Sequence, residues 1–249
     1  MDPSAYILMS ETEDKHWWFQ GRRAAITVLL DSLKLGPDSS VLELGAGTGG
    51  NLALLQHYGQ VSGLELDEHA RELANKKSGL NIVEGCLPDD IPFEDGVYDV
   101  VCLFDVLEHV NEDYETLVAI RRLLKPGGHV IITIPAYQWL WSAHDTVLHH
   151  FRRYSYNGFK SLFTQAGYKA DKLSFFNLTL FPLAMAVRML DRLFRRKKSS
   201  GDQVPAVPIN SLFAWISIKE AQLLHKYNLP YGSSLVAVLS LADTKDASK

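Results

Sequence analysis

The run VLELGAGTGG, residues 41–50, constrains this chain more than any other stretch. An apolar, β-branched segment ends in glycines spaced G-x-G-x-x-G at Gly45, Gly47 and Gly50. That spacing turns the chain tightly at the mouth of a strand and lets a ligand approach the backbone closely. Between residues 39 and 135, short apolar runs alternate with longer amphipathic stretches, the pattern of βαβ units around a parallel sheet. Strands are expected at 41–44, 61–64, 81–83, 98–103 and 129–134. Helices are expected from Asn51, as a cap, to the stop at Gly59, over 67–77, and from Asn111 to the Lys125-Pro126-Gly127-Gly128 stop. Further on, helices near 156–166, 177–196 and 210–227 and strands near 168–173 and 234–241 complete the reading. A length of 249 residues suits one α/β domain.

The glycine spacing alone also describes a dinucleotide fold, and Glu65, about 20 residues after Gly45, fits a ribose-binding acid in either case. Glu43 separates the two. A carboxylate two residues before the first glycine repels a pyrophosphate and attracts a ligand bearing an ammonium and a sulfonium. The rest of the composition is unassertive. A formal charge of -4 gives no reason to expect nucleic acid. Two cysteines without CxxC spacing, Cys86 and Cys102, suggest neither a disulfide framework nor a zinc site and fit a reducing cytoplasm. The first fourteen residues turn acidic after a short apolar run, the wrong order for a secretory leader.

S-adenosylmethionine (SAM) is a ligand of that charge, and the sequence resembles the class I SAM-dependent methyltransferases. The resemblance rests on ELGAGTG (43–49), GLELD (63–67), IPFEDGVYDVV (91–101), LEHV (107–110) and LLKPGG (123–128), in the family's order over about 100 residues. It implies an α/β, doubly wound, mostly parallel seven-stranded sheet with a reversed last strand and helices on both faces. It also implies that Gly45, Ala46 and Gly47 let the backbone approach the cofactor, that Glu43 faces the methionine ammonium, and that Glu65 holds the ribose hydroxyls. Leu66 would lie along the adenine, and Phe104 would offer a backbone contact to the methionine moiety. The family often has an aspartate after the glycine of the third strand. Here Gly85 is followed by Cys86 and Leu87, so backbone groups would serve the adenine instead.

Asp105, Glu108 and His109, spaced i, i+3, i+4, resemble the E-x-x-E-H run in which quinone-biosynthesis O-methyltransferases bind a divalent ion. A fixed loop without metal is the favoured reading, and magnesium or manganese the alternative. Downstream, residues 135–154 read PAYQWLWSAHDTVLHHFRRY at the carboxyl edge of the fifth strand, where open α/β sheets bind ligands. Candidate catalytic residues there are His144, His149 and Asp145, with an arginine to recognise an anionic group. Before the sheet, residues 16–23 read HWWFQGRR and lead into an amphipathic helix over 24–35. Aromatic faces attract cations and exclude water, so a lid over the cofactor is expected, with Arg22 or Arg23 touching it.

On this reading residues 1–38 form the lid and lead-in helix, 39–135 the SAM-binding core, and 136–249 the acceptor side of the same domain. The apolar run 173–187, followed by six basic residues against one acid over 188–198, is too short and broken to span a bilayer. It suits a substrate-covering helix or a helix on an anionic membrane surface. Residues 199–208, SSGDQVPAVP, read as a flexible linker. The expected function is methyl transfer from SAM, with S-adenosylhomocysteine as product, to a small or lipid-linked acceptor, at oxygen. The rivals are a SAM-binding module without catalysis and an NAD-dependent dehydrogenase, the latter suggested by the Y-x-x-x-K spacings of Tyr156 with Lys160 and Tyr168 with Lys172.

Overall fold

A computed structural model of the chain describes residues 3–193 and 204–242. Most of the basic run at 194–198 and the first half of the expected linker lie outside the described residues. The described strands are β1 (Ser40–Leu44), β2 (Gln60–Leu64), β3 (Tyr98–Phe104), β4 (Leu124–Pro135), β5 (Tyr168–Phe176) and β6 (Ser234–Leu241). They form one sheet in the order β2-β1-β3-β4-β6-β5. β1 pairs in parallel with β2 and β3, and β3 with β4; β6 runs antiparallel to both β4 and β5, so β6 alone is reversed.

The doubly wound sheet with its reversed last strand is as expected, with six described strands in place of seven. The segment 81–83 contributes a single parallel bridge, Leu64 to Val83. Its place at the edge of β2 is nevertheless held: Val83 N donates to Gly63 O at 2.9 Å and Glu65 N to Val83 O at 3.0 Å. The chain then folds back at once, because Cys86 and Asp90 exchange two backbone hydrogen bonds across a tight turn.

The KPGG segment also differs from expectation. The helix before it, α5 (Asp113–Ile120), ends early and passes through a 3₁₀ turn into β4. Gly127 takes φ +80°, and a Cβ on Gly128 would lie 3.0 Å from two carbonyl oxygens. The glycines thus form a bulge where the β3 to β4 register shifts, rather than a helix stop.

HWWFQGRR begins α2 (Trp17–Ser32), whose Ala25, Ile26, Leu29 and Leu30 are fully buried in the core. α2 packs along α9 (Val207–Leu223), and a Cβ on Gly21 would stand 2.5 Å from Ser217 Cβ. The glycine within the aromatic and arginine run is therefore what allows the two helices to touch. Ahead of α2 lies an unexpected helix, α1 (Pro3–Thr12). The remaining helices are α3 (Leu52–Leu55), α4 (Glu68–Ser78), α6 (Ala143–Val147), α7 (Tyr156–Gln165) and α8 (Phe181–Leu193). No described helix is long and apolar enough to cross a membrane.

Candidate functional site

β1 ends at the glycine turn. Gly45 and Ala46 both donate to Leu64 O, at 2.8 and 2.9 Å, and Gly45, Gly47 and Gly49 adopt φ of +72°, +54° and +85°. A Cβ on Gly45 would approach Val106 Cγ2 to 2.7 Å, whereas beside Gly47 the space is open. One glycine serves packing and the other leaves room for a ligand. Asn51 does not cap α3 with its side chain; its Nδ2 donates to Glu43 Oε1 at 2.8 Å instead.

Glu43 is 1% exposed, and its second carboxylate oxygen has no partner. Burial pushes its pKa up to about 8, against the downward pull of the Asn51 hydrogen bond and of Arg22. Glu65 is also buried, and burial raises its pKa as well. Its two oxygens accept from Gly47 N at 2.7 Å and Asp67 N at 3.0 Å. Leu66 beside it is exposed, Cys86 is exposed, and Leu87 is half-buried against the core.

The segment before α2 closes over this crevice. Tyr6 of α1 is buried, and its hydroxyl pKa is raised by burial first and then by the carboxylates of Glu65 and Asp67. Glu13 was not singled out from the sequence. It is 2% exposed, accepts from Thr48 Oγ1 at 2.9 Å, and pairs with Lys77 Nζ at 2.9 Å. A Cβ on Gly50 would lie 2.2 Å from its carboxylate, so this glycine is the gap that admits Glu13. Lys77 also pairs with Asp14 at 2.9 Å, so Glu13 and Asp14 together tie this segment to α4, a latch that can be tested. Glu13→Ala is expected to speed SAM association and dissociation together in stopped flow, by roughly tenfold, as about 1–2 kcal/mol of latch contacts is lost.

Arg22 turns to the other side, pairing with Asp105 beneath Trp18 and Phe19, whose rings lie 4.8 and 5.3 Å from its guanidinium carbon. Arg23 is half-buried with Nη1 unpartnered. Asp105, at φ +55°, also accepts from Thr133 Oγ1 at 3.1 Å. Trp18, Arg22, Asp105, Thr133, Phe176 and Ser234 line a cavity of about 10 Å³, barely room for one water. Phe104, just before Asp105, is buried at the end of β3.

The trio that the spacing offered as an alternative metal site is not brought together. Asp105 is drawn to Arg22, and the groups that converge are Glu108, His109 and His150. Burial, then the nearby Asp105, raises the Glu108 pKa. Burial, then His150, lowers that of His109 to about 3. Asp145, fully buried, is bound by His150 Nδ1 at 2.9 Å, Arg153 Nε at 2.6 Å and Ser142 N at 2.8 Å. This wealth of partners holds its carboxyl well below the usual range. Asp145 thus ties His150, Arg153 and Ser142 together. His144 is half-buried with its ring 6.4 Å from that of His150, and His149 is exposed on a turn at φ +58°. None of the three lines the Arg22 and Asp105 cavity.

Comparison with known proteins adds the following likenesses. Residues 42–132 match the model of a family described as a methyltransferase domain. A sarcosine/dimethylglycine N-methyltransferase of Halorhodospira halochloris is 38% identical over 113 residues, which are 42% of this chain and 40% of that protein. A ubiquinone biosynthesis O-methyltransferase of Serratia proteamaculans is 32% identical over 103 residues, 39% of this chain and 42% of that one. The chain therefore spans well under half the length of these relatives. In structure, the putative methyltransferase of Haloferax volcanii, solved in complex with the Trm112 methyltransferase activator, matches with a TM-score of 0.63 and 20% identity, covering 97% of this chain and 96% of that one. Residues 42–132 thus match a methyltransferase domain, and the chain as a whole has the α/β fold of solved methyltransferases, with a single reversed strand among those described.

Proposed function

We propose that this chain transfers the methyl group of SAM to an oxygen of a small or lipid-linked acceptor. The observation that carries the reading is Glu43, a buried carboxylate with an unpartnered oxygen at the glycine turn, a place suited to the cofactor's ammonium and sulfonium rather than to a pyrophosphate. In this reading Glu65 exchanges its bonds to Gly47 and Asp67 for the ribose hydroxyls. Gly47 leaves the space for the methionine portion, and the closed lid excludes water.

The acceptor enters where Trp18 and Arg22 now close the small cavity. Its oxygen attacks the sulfonium methyl in line; the new C–O bond forms as the C–S bond breaks, and S-adenosylhomocysteine departs neutral at sulfur. The acceptor's proton passes to Asp105, the carboxylate of the cavity lining, with His144 and His149 as the proposed alternatives. Orientation and desolvation supply most of the acceleration, so no covalent intermediate with the protein is needed.

Exposed apolar side chains favour a lipid-linked acceptor. Leu183, Met189 and Leu190 on α8 and Val207, Leu212 and Trp215 on α9 all face outward, on the two helices that flank the basic run of the sequence. The test is incubation of the chain with methyl-labelled SAM and fractionated metabolites and lipids. Label is expected in a lipid fraction, and it should be lost with Glu65→Ala. Tight SAM binding with no label in any fraction would instead favour a binding module, and binding of NAD without SAM would overturn the cofactor assignment.

A further inference from the structure

We infer that Glu108, His109 and His150 form a binding site for one borderline first-row divalent cation such as zinc, in place of the carboxylate-rich trio suggested by the spacing of 105–109. The candidate ligand atoms of the three residues lie within 4.8 Å of one another. They come from two segments that are firmly tied together. The 3₁₀ turn Leu107–His109 follows β3, while His150 follows α6, and Phe151 N donates to Glu108 O at 2.7 Å to join them. The two imidazole centroids are 4.6 Å apart, edge to face.

Three features fit a metal rather than a plain hydrogen-bonded loop. The Glu108 side chain is 1% exposed, and its Oε2 has no partner. A buried carboxylate oxygen left unpaired is costly, and a cation removes that cost. His150 gives Nδ1 to Asp145, which is itself held by Arg153 and Ser142; that leaves Nε2 as the available donor in a fixed orientation. His109 is likewise bound to the Leu148 backbone. Imidazoles fixed by a carboxylate or carbonyl on their far nitrogen are the usual outer support of a metal site. Asp105, finally, belongs to Arg22, so the donor set becomes two imidazoles and one carboxylate. That set suits zinc or its neighbours better than magnesium and leaves at least one coordination position for an outside oxygen. The positive groups facing Glu108 are Arg153 and Arg22, and each is already paired, with Asp145 and Asp105.

The test uses the full chain, stripped with a chelator and titrated with cobalt(II), which reports ligand geometry by visible absorption, and then with zinc in competition. One ion per chain is expected, displaced by zinc and indifferent to millimolar magnesium. Glu108→Gln, nearly isosteric, and His150→Ala should each weaken binding by on the order of 100-fold or more, and Asp145→Asn, acting through His150, by about 10- to 100-fold. Asp105→Asn, which removes a nearby charge but no ligand, should weaken cobalt binding by about tenfold at most. The site is overturned if the parent chain gives no saturable binding, or if Glu108→Gln binds as the parent does. A loss in Asp105→Asn equal to that in Glu108→Gln would overturn the revised ligand set. Circular dichroism checks each variant's fold, and Glu108→Gln alone decides the matter should the histidine variant unfold.

Discussion

Glu65→Ala is expected to bind SAM on the order of 10³-fold more weakly than the parent chain in isothermal titration. A carboxylate that accepts from two ribose hydroxyls makes two charge-assisted hydrogen bonds, each contributing about 1.5–3 kcal/mol. The substitution acts twice here. In the structure the same carboxylate accepts from Gly47 N and Asp67 N, so it also shapes the glycine turn. Glu65→Gln separates the two roles. An amide oxygen still accepts from one backbone N–H but lacks the charge, so it should recover part of the turn and little of the affinity. Parent-like affinity in Glu65→Ala would place the ribose elsewhere.

The parts of this architecture readable from sequence are those that repeat at short range. β-branched runs between amphipathic stretches place β1, β2, β3 and β6 to within a residue, while β4 begins five residues earlier and β5 ends three residues later than expected, and Asp67 caps α4 by accepting from Ala70 N as its residue type predicts. The failures share a cause, which is that a distant residue claims a side chain or a turn. Asn51 has the composition of a cap, yet a buried acid eight residues away takes its amide. KPGG has the composition of a helix stop, yet β3 needs a bulge there. The 81–83 segment is apolar enough for a strand, yet it makes one bridge before the turn to Asp90 withdraws it.

The site follows the same rule. Glu43, Glu65 and the glycines are close in sequence and speak through one motif, whereas the contacts of Glu13 and the cluster of Glu108 and His109 with His150 are assembled across longer separations. Glu13 gives no signal in the sequence beyond an acid near the start, and only its fit beside Gly50 and its pair with Lys77, 64 residues away, mark it. Asp105 is drawn away from Glu108 and His109, and His150 stands beside them, for the same reason. The spacing of 105–109 holds no information about Arg22, which arrives 83 residues earlier in the chain and takes the aspartate.

SAM affinity should rise about 50-fold from pH 6 to pH 8, and Glu43→Gln should abolish that rise. In the empty protein the Glu43 carboxyl has a pKa of about 8 because burial penalises its charge. A cationic ligand beside it favours the carboxylate, so the bound pKa is lower than the free one. Below pH 8 binding must therefore expel a proton, and each further unit of acidity costs about 1.36 kcal/mol, or tenfold, until the bound pKa is reached. Titration in buffers of different ionisation enthalpy should register about one proton released per ligand near pH 6.5. Above pH 8 the ligand's own amino group begins to lose its charge, so the rise ends there. The empty fold carries the opposite dependence. Unfolded, Glu43 ionises near its ordinary 4.5, while the folded chain holds the proton to about 8. The stability of the ligand-free protein should accordingly fall as pH climbs through that window, by a few kcal/mol at most, and Glu43→Gln should flatten the fall. A parent chain whose SAM affinity is level between pH 6 and pH 8 would mean that the buried acid and the cofactor's positive charge do not meet.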